Sequence, residues 1–236
     1  MASIDASGKT VREINQALRN ALCQSPSEVL IKNPGARHNL AVAMLQPGHV
    51  RIAGSVGYYC GGLGDRTSIE IEGSAGWGLA ESMLSGTVRV QGNAGSGAAA
   101  AMRGGTVIIE GDAGARLGVS LKGGLVVVGG NCGYMAGFMA QKGTVIVCGD
   151  AGEAFADSMY ATVCYVGGRV GSLGTDAVVG VMEPSDLDLV DQALNTHLPS
   201  ELRKTKPLAS AFTKIVAGRK LWNFDKRDWK IWQEAL

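Results

Sequence analysis

Few residues of this chain have the types and the spacing that catalysis or cofactor binding requires. Ser7-Gly8-Lys9-Thr10 ends like a phosphate-binding loop. That motif needs a glycine where Ser3 stands and a strand in front of it; the glycine is absent and we predict no strand there. The glycine-rich run at 73–78 resembles a dinucleotide-binding loop only superficially, because its spacing recurs along the whole chain. Neither segment predicts a nucleotide site.

The histidines and cysteines are equally scattered. The three histidines, His38, His49 and His197, stand far apart, and we interpret each as a surface or capping residue. The cysteines are odd in number and form no Cys-x-x-Cys pair, which is typical of reduced thiols that act as small apolar side chains; they are Cys23, Cys60, Cys132, Cys148 and Cys164. We therefore predict no catalytic residue, no metal ligand and no cofactor contact on this chain.

The strongest pattern in the sequence is a glycine repeat with a fixed interval. Seven Gly-x-x-Gly pairs begin 19 residues apart, which indicates one structural unit stacked on itself. The predicted structural corners are Gly54 and Gly57, Gly73 and Gly76, Gly92 and Gly95, Gly111 and Gly114, Gly130 and Gly133, Gly149 and Gly152, and Gly168 and Gly171. Gly35 lies one period upstream, but its partner position is His38. We expect glycine at corners where φ is positive or where the backbone approaches its neighbour too closely for a Cβ.

The residue after the first glycine of each pair is usually small and polar. Such a column could hold cations, but serine, asparagine and aspartate are also ordinary turn residues, and we favour that second interpretation. The column is Ser55, Ser74, Asn93, Asp112, Asn131, Asp150 and Arg169.

Short β-branched runs between the corners predict strands. Alternate residues of these runs are small or branched and apolar, so they must face a core: Val50 and Ile52, Ile69 and Ile71, Val88 and Val90, Val107 and Ile109, Val126 and Val128, Val145 and Val147, and Cys164 and Val166. The predicted fold is all-β, a right-handed parallel β-helix of about seven to eight 19-residue coils. Seven coils stacked at the strand spacing make a rod roughly 34 Å long.

The outward positions of the same strands change character along the chain. They are charged at first, as Arg51, Glu70 and Arg89, and then form an apolar stripe of Ile108, Val127, Ile146 and Tyr165. An isolated soluble rod should not expose such a stripe, so we expect either the chain's own C-terminal segment or a partner to cover it. These positions hold no acidic cluster, which argues against an enzyme that cleaves polysaccharides.

The chain divides into three predicted segments. Residues 1–34 form an N-terminal extension with a short amphipathic helix, residues 35–182 form the β-helix, and residues 183–236 form a helical tail whose helix begins at Ser185 as N-cap. The tail carries four aromatic residues that we expect to pack against the β-helix or a partner; they are Trp222, Phe224, Trp229 and Trp232.

Composition excludes several classes of partner. The 236 residues carry a net charge of +1, which does not suggest a nucleic-acid or membrane surface. No apolar run reaches the length of a membrane span, and the first ten residues hold no apolar signal core. We therefore expect a cytoplasmic protein.

Tandem Gly-x-x-Gly coils with Gly-Thr-Val strand starts resemble the C-terminal β-helix domain of the large subunit of glutamate synthase, over about residues 30–182. As a separate chain, the sequence is similar to the small β-helix subunit of N-methylglutamate synthase, the methylamine–glutamate N-methyltransferase. The resemblance implies a scaffold without catalytic residues in a hetero-oligomer. It would hold a class II amidotransferase-like subunit against a synthase subunit that carries FMN and iron–sulfur clusters.

Two alternatives stay open. The same domain family includes a subunit of formylmethanofuran dehydrogenase, so the chain could belong to that assembly. It could also be a stand-alone β-helix enzyme that acts on polysaccharide.

Overall fold

The computed structural model describes residues 2–24 and 28–219, and it confirms the predicted parallel β-helix. One 11-stranded sheet runs in the order β1 to β9, then β11, then β10. Its strands are β1 (Ala2–Asp5), β2 (Glu28–Lys32), β3 (Gly48–Ala53), β4 (Thr67–Ile71), β5 (Thr87–Val90), β6 (Thr106–Ile109), β7 (Leu125–Val128), β8 (Thr144–Val147), β9 (Val163–Val166), β10 (Ala177–Val179) and β11 (Thr213–Ala217). The helices are α1 (Val11–Gln24), α2 (Pro184–His197), α3 (Ser200–Lys204) and a 3-10 turn (Ala209–Ala211).

Strands β1 to β9 pair in parallel, and from β3 onward each coil contributes one strand at the 19-residue register. Val88, Val107 and Val126 are direct neighbours on successive strands. The inward residues of this ladder are buried in one continuous core. Fully burying one such valine or isoleucine side chain contributes about 1.5–3 kcal/mol, so the stacked columns supply much of the stabilisation.

The N-terminal segment belongs to the sheet rather than standing before it. Strands β1 and β2 continue the parallel ladder ahead of residue 35, and α1 covers the open end of the core with Ile14, Leu18 and Leu22. The Asn15 side chain donates to the Asn39 carbonyl at 2.8 Å and accepts from the Ala41 N–H at 2.8 Å. It thereby replaces the hydrogen bonds that a preceding coil would make.

The expectation that no strand precedes Ser7-Gly8-Lys9-Thr10 is wrong, because β1 lies directly before this segment. The polar groups there nevertheless serve local structure. Glu13 accepts from the Thr10 N–H at 2.7 Å, and Thr10 Oγ1 accepts from the Glu13 N–H at 3.3 Å, a reciprocal cap on α1. Lys9 Nζ donates to the Asp5 carbonyl at 2.7 Å, so its ammonium is turned toward the protein.

The first glycine of each Gly-x-x-Gly pair is a point of close approach between coils. A Cβ on Gly111 would lie 2.9 Å from the Gly92 carbonyl oxygen, and one on Gly130 would lie 2.9 Å from that of Gly111. Of the fourteen predicted corner glycines, Gly54 alone has a positive φ, +135°. Of the two expected reasons for glycine, close approach is therefore the one that holds for the other six first glycines, which are Gly73, Gly92, Gly111, Gly130, Gly149 and Gly168.

The second glycine of each pair also owes its place to close approach. Each one directly follows a residue that forms an isolated parallel bridge to the equivalent residue of a neighbouring coil, as Ala94 does with Ala75 and Ala113. A Cβ on any of them would lie within 3.2 Å of backbone atoms of the preceding coil, so the space is taken. Close approach, one of the two expected reasons, therefore explains all seven, and none of them has a positive φ: Gly57, Gly76, Gly95, Gly114, Gly133, Gly152 and Gly171.

The polar residues inside the corners form a hydrogen-bond ladder. Each side-chain oxygen accepts the backbone N–H of the equivalent residue one coil later: Asp112 N–H donates to Asn93 Oδ1 at 2.8 Å, Asn131 N–H to Asp112 Oδ1 at 2.7 Å, and Asp150 N–H to Asn131 Oδ1 at 2.8 Å. Within the described ranges, no group of three or more His, Cys, Asp or Glu side chains could hold a metal ion. The column's contacts are those of turn residues that join neighbouring coils.

Positive φ angles occur instead in an arc after the second glycine of each coil. In one coil Gly97, Ala99 and Ala101 have φ of 70°, 57° and 51°. The N–H groups of Gly97 and Ala101 donate to backbone carbonyls of the following coil, and that of Ala99 donates to a carbonyl of the preceding coil, each at 2.8 Å. A left-handed non-glycine residue costs roughly 1–2 kcal/mol, and the inter-coil hydrogen bonds offset this cost.

We predict that Gly111→Val and Gly130→Val each destabilise the protein by about 1–3 kcal/mol, because the added side chain collides with the preceding coil. Gly62→Ala is the matched control. Gly62 has no positive φ, a Cβ there meets no heavy atom closer than 3.4 Å, and Ala100 occupies an equivalent arc position, so this variant should melt close to wild type. Thermal unfolding measures all three. Equal melting temperatures for the valine variants and wild type would contradict the corner geometry.

Candidate interaction surface

The apolar stripe on the outer face of the sheet is buried within the chain. Ile108, Val127, Ile146 and Tyr165 are at most 2% exposed. The side chains that cover them come from α2 and the segment after it: Val190, Ala193, Leu194, Leu198, Ala209 and Phe212. Of the two sequence-based alternatives, coverage by the chain itself is what the structure shows. These four residues are consequently not accessible to a partner.

A buried carboxylate fastens this cover to the sheet. Asp186 accepts hydrogen bonds from Tyr165 Oη at 2.5 Å, Lys214 Nζ at 2.7 Å and the Glu183 N–H at 2.7 Å. Burial acts to raise the pKa of Asp186, but the hydrogen bonds from Lys214 and Tyr165 outweigh it and hold that pKa below its ordinary value. Because Asp186 reaches back to Glu183, the N-cap of α2 is Glu183 and not the predicted Ser185.

The C-terminal segment also ends the parallel ladder. Strand β11 pairs antiparallel with β9 on one side and with β10 on the other. The tail is therefore helix and strand, where the sequence predicted helix alone. Its four aromatic residues, Trp222, Phe224, Trp229 and Trp232, lie outside the described residues.

The charged half of the outer face holds ion pairs. Arg51 Nε lies 2.5 Å from Glu72, and Arg89 Nη1 donates to Glu110 at 2.8 Å. Arg89 Nη2 also donates to the His197 carbonyl at 2.6 Å. Burial, together with the nearby charge of Arg89, lowers the pKa of His197. Guanidinium groups hold Glu72 and Glu110, so these carboxylates are poorly placed to act as a general acid and base.

The buried cysteines are equally unsuited to chemistry. Burial raises the pKa of Cys60 and Cys132 to about 12 and that of Cys148 to about 11. Cys164 is also buried, and its pKa is raised for the same reason. A thiol is nucleophilic as its thiolate, so these four cysteines are inert packing residues at neutral pH.

A group of aromatic residues on the arc side of the first coils is exposed rather than packed in the core. Tyr58 and Trp77 occupy equivalent positions on successive coils, with ring centroids 5.2 Å apart, and His38 stacks on Tyr58 from the coil before, with ring centroids 4.3 Å apart. Tyr58 is 41% exposed and Trp77 is 58% exposed. Tyr59 and Leu63 are exposed on the same coil as Tyr58. We refer to Tyr58, Tyr59, Leu63 and Trp77 as the aromatic patch.

Coil geometry positions the rings of this patch. The Tyr58 N–H donates to His38 Nδ1 at 2.9 Å, and the Tyr59 N–H donates to the Trp77 carbonyl at 2.8 Å. Gly76 leaves room for the stack, because a Cβ there would lie 2.7 Å from the Tyr58 ring. The signal in the sequence is two aromatic residues one period apart directly after the second corner glycine, and our sequence-based analysis missed it.

The patch has the composition of a protein-binding surface. Tryptophan and tyrosine dominate the energetics of protein interfaces, and contiguous exposed apolar residues mark interaction sites. Stacked, exposed rings of this kind are therefore suited to docking another macromolecule.

No helix in the described part of the chain has the length and apolar character needed to cross a membrane.

Comparison with known proteins shows similarity to a curated relative and to a solved structure of the same fold. The chain is 49% identical over 227 residues to protein GlxC of Rhizobium meliloti (strain 1021), covering 95% of this chain and 97% of GlxC. It superposes with a TM-score of 0.63 on a chain of the formyltransferase/hydrolase complex FhcABCD from Methylorubrum extorquens, solved with methylofuran. That match has 22% identity over 86% of this chain and 87% of the other, and it shows the fold.

No protein-family model matches the sequence. The resemblance to the C-terminal domain of glutamate synthase therefore stays a prediction.

We predict that Asp186→Asn destabilises the protein at neutral pH, because it removes the charge that Lys214 and Tyr165 stabilise. The folded pKa of Asp186 is depressed, so this stabilisation is present above the unfolded pKa and is lost as pH falls through the folded value. The melting-temperature difference between wild type and variant should be largest above about pH 5 and shrink toward pH 3. Glu201→Gln is the control, since both side chains of its ion pair with Lys204 are exposed and the pair should contribute little. A pH-independent difference for Asp186→Asn would contradict the prediction.

Proposed function

The chain belongs to the family of protein GlxC, and we propose that it is a non-catalytic scaffold subunit of a multi-subunit enzyme. One observation carries the proposal. The described part of the chain covers its own apolar stripe but leaves stacked tyrosine and tryptophan rings exposed on the other side of the coils. Because contiguous exposed apolar residues mark interaction sites, the surface that stays exposed is suited to a partner.

The chemistry of the described residues supports a positional role. Carboxylates of the outer sheet face are ion-paired, and the buried thiols are protonated at neutral pH. A chain of similar fold is a component of the formyltransferase/hydrolase complex FhcABCD. A stack of hydrogen-bonded coils is rigid, and rigidity is what a subunit needs in order to hold two active sites in fixed relation.

The specific assembly that we propose is a glutamate-synthase-like flavoenzyme, N-methylglutamate synthase, which forms N-methylglutamate and ammonia from methylamine and glutamate. This chain would hold a class II amidotransferase-like subunit against a synthase subunit, and that partner would carry FMN and iron–sulfur clusters. The glycine framework of the coils, from Gly54 and Gly57 to Gly168 and Gly171, carries the resemblance.

A second candidate is the β-helix subunit of formylmethanofuran dehydrogenase. Fold similarity to a chain of a formyltransferase/hydrolase complex favours it over a stand-alone enzyme. The ion-paired carboxylates on the outer sheet face disfavour the polysaccharide-cleaving alternative.

Purification of the native complex through an affinity tag on this chain, followed by mass spectrometry, separates these candidates. We expect an amidotransferase-like chain and a flavin-containing synthase chain, with flavin and iron–sulfur absorbance in the complex but not in the isolated scaffold. Molybdenum or tungsten in the complex would support the second candidate. Recovery of the chain alone, at native expression and low salt, would refute a scaffold role.

We predict that Tyr58→Ala combined with Trp77→Ala removes at least one subunit from the purified complex, because hot-spot aromatic residues contribute about 2 kcal/mol or more each to an interface. Tyr134→Ala is the matched control, since Tyr134 lies in the same column and is 51% exposed but stacks on no other ring among the described residues. Melting temperatures of both variants should stay close to wild type. Full retention of every subunit by the double variant would show that the patch is not an interface.

A further inference from the structure

A column of equivalent residues runs along the corner at the other end of the arc. Each of its backbone N–H groups donates to the preceding coil, as Leu84 does to Gly64, Arg103 to Met83 and Lys122 to Met102, all at 2.8 Å. This register places Leu84, Arg103 and Lys122 directly above one another. Gln141 follows Lys122 in register, since its N–H donates to the Leu121 carbonyl at 2.6 Å, and Lys142 lies beside it. We refer to Leu84, Arg103, Lys122 and Lys142 as the corner stripe.

The three cations of the corner stripe have no partner within the described residues. No ion pair or side-chain hydrogen bond involves Arg103, Lys122 or Lys142 in those ranges, and Arg103 and Lys142 are exposed. Adjacent coils are about 4.8 Å apart, and like charges stacked in this way repel each other. The isolated chain therefore gains no stability from this arrangement.

The outer sheet face of the same coils provides an internal comparison. There Glu70 and Arg89 are direct neighbours on adjacent strands, and the Gln91 side chain donates to Glu70. Arg89 also pairs with Glu110 at 2.8 Å. The same stacking geometry thus produces compensated charges on one face and uncompensated cations on another. Uncompensated cations at a fixed spacing fit a row of carboxylates on another molecule.

The surroundings of the stripe indicate what kind of molecule carries these carboxylates. Leu84 continues the stripe at one end and is 46% exposed. On the coil before Leu84 the column holds Asp65, which pairs with Arg66 and accepts from Ser85, and Leu45 is exposed one coil earlier still. The arcs that begin at Tyr58 and Trp77 end at Asp65 and Leu84, so the aromatic patch adjoins the apolar end of the stripe and the cations lie on the coils that follow. A net charge of +1 for the whole chain is low for a nucleic-acid binder, whereas an apolar centre beside charges is typical of a protein interface.

We propose that the corner stripe docks an acidic strip on a partner subunit of the enzyme. This inference rests on the proposed scaffold function. Aspartate and glutamate side chains of the partner pair with Arg103, Lys122 and Lys142, and an apolar residue of the partner packs on Leu84. The charges select the partner and set its register along the coils.

The native complex is treated with a carbodiimide, which joins a lysine amine directly to a carboxylate that touches it. Mass spectrometry should find Lys122 and Lys142 joined to Asp or Glu residues of one partner subunit. Lys32, exposed on β2, serves as the control and should form no bond to that subunit.

Charge reversal tests the same contact independently. For Arg103→Glu combined with Lys122→Glu, the fraction of that subunit retained at 150 mM NaCl should fall on the order of tenfold. Retention of that subunit by wild type should also decrease with salt. Arg12→Glu combined with Lys32→Glu changes the net charge equally on other surfaces and should retain the subunit. If the double glutamate variant misfolds, Arg103→Gln with Lys122→Gln gives a smaller loss with an unchanged melting temperature.

Several outcomes would overturn the inference. Lys122 and Lys142 could remain unlinked in a complex that survives charge reversal, which would refute the stripe while leaving the scaffold function standing. Bonds to Asp225, Asp228 or Glu234 of the same chain, or to a second copy, would identify a different occupant. Binding of a 20-base-pair DNA duplex that charge reversal abolishes would identify a nucleic-acid surface. Absence of any co-purifying subunit would refute scaffold and stripe together.

Discussion

The distance between successive coils at the Gly-x-x-Gly corners is the constraint on which the rest of the structure depends. With a Cβ at Gly111 or Gly130, the backbone of one coil could not lie against the carbonyl of the coil before it. That contact sets the register of the strand ladder, of the side-chain ladder through Asn93, Asp112 and Asn131, and of the arc hydrogen bonds. Because each coil's hydrogen bonds go to its neighbours, stability is distributed along the stack rather than held at one centre.

A fixed register converts sequence period into columns of side chains on the surface, and the columns differ in their use. Helix α2 and the segment after it bury the apolar stripe, and hydrogen bonds of Asp186 link them to the sheet. The residues of the polar corner column form hydrogen bonds between coils. The aromatic patch and the corner stripe lie at the two ends of the arc, and the described part of the chain uses neither. A surface of this kind, on a backbone that cannot easily rearrange, presents its side chains preorganised for a partner.

The arc also shows how the fold accommodates unfavourable backbone angles. Alanines such as Ala99 and Ala101 adopt left-handed conformations because this alternation directs successive N–H groups to opposite neighbours. At the ends of the stack these partners are missing. Asn15 replaces them at one end, and β11 closes the strand ladder at the other by pairing antiparallel with β9. The end segments are therefore parts of the solenoid, although their sequences do not show its period.

The sequence alone determined the coil, because a 19-residue glycine period and the alternation in runs such as Val107 to Ile109 can be satisfied only by stacking. It also located the apolar stripe, since alternate strand residues must face opposite sides. It did not reveal what covers that stripe, because helix α2 contacts strands that are distant in sequence. Nor did it show whether each glycine is needed for a positive φ or for close approach between coils, since both conditions select glycine. The 19-residue spacings of Tyr58 to Trp77 and of Arg103 to Lys122 are visible in the sequence. Only the tertiary structure showed that the two rings stack and that the two cations have no counter-charge among the described residues, because both depend on side-chain positions that the period does not specify.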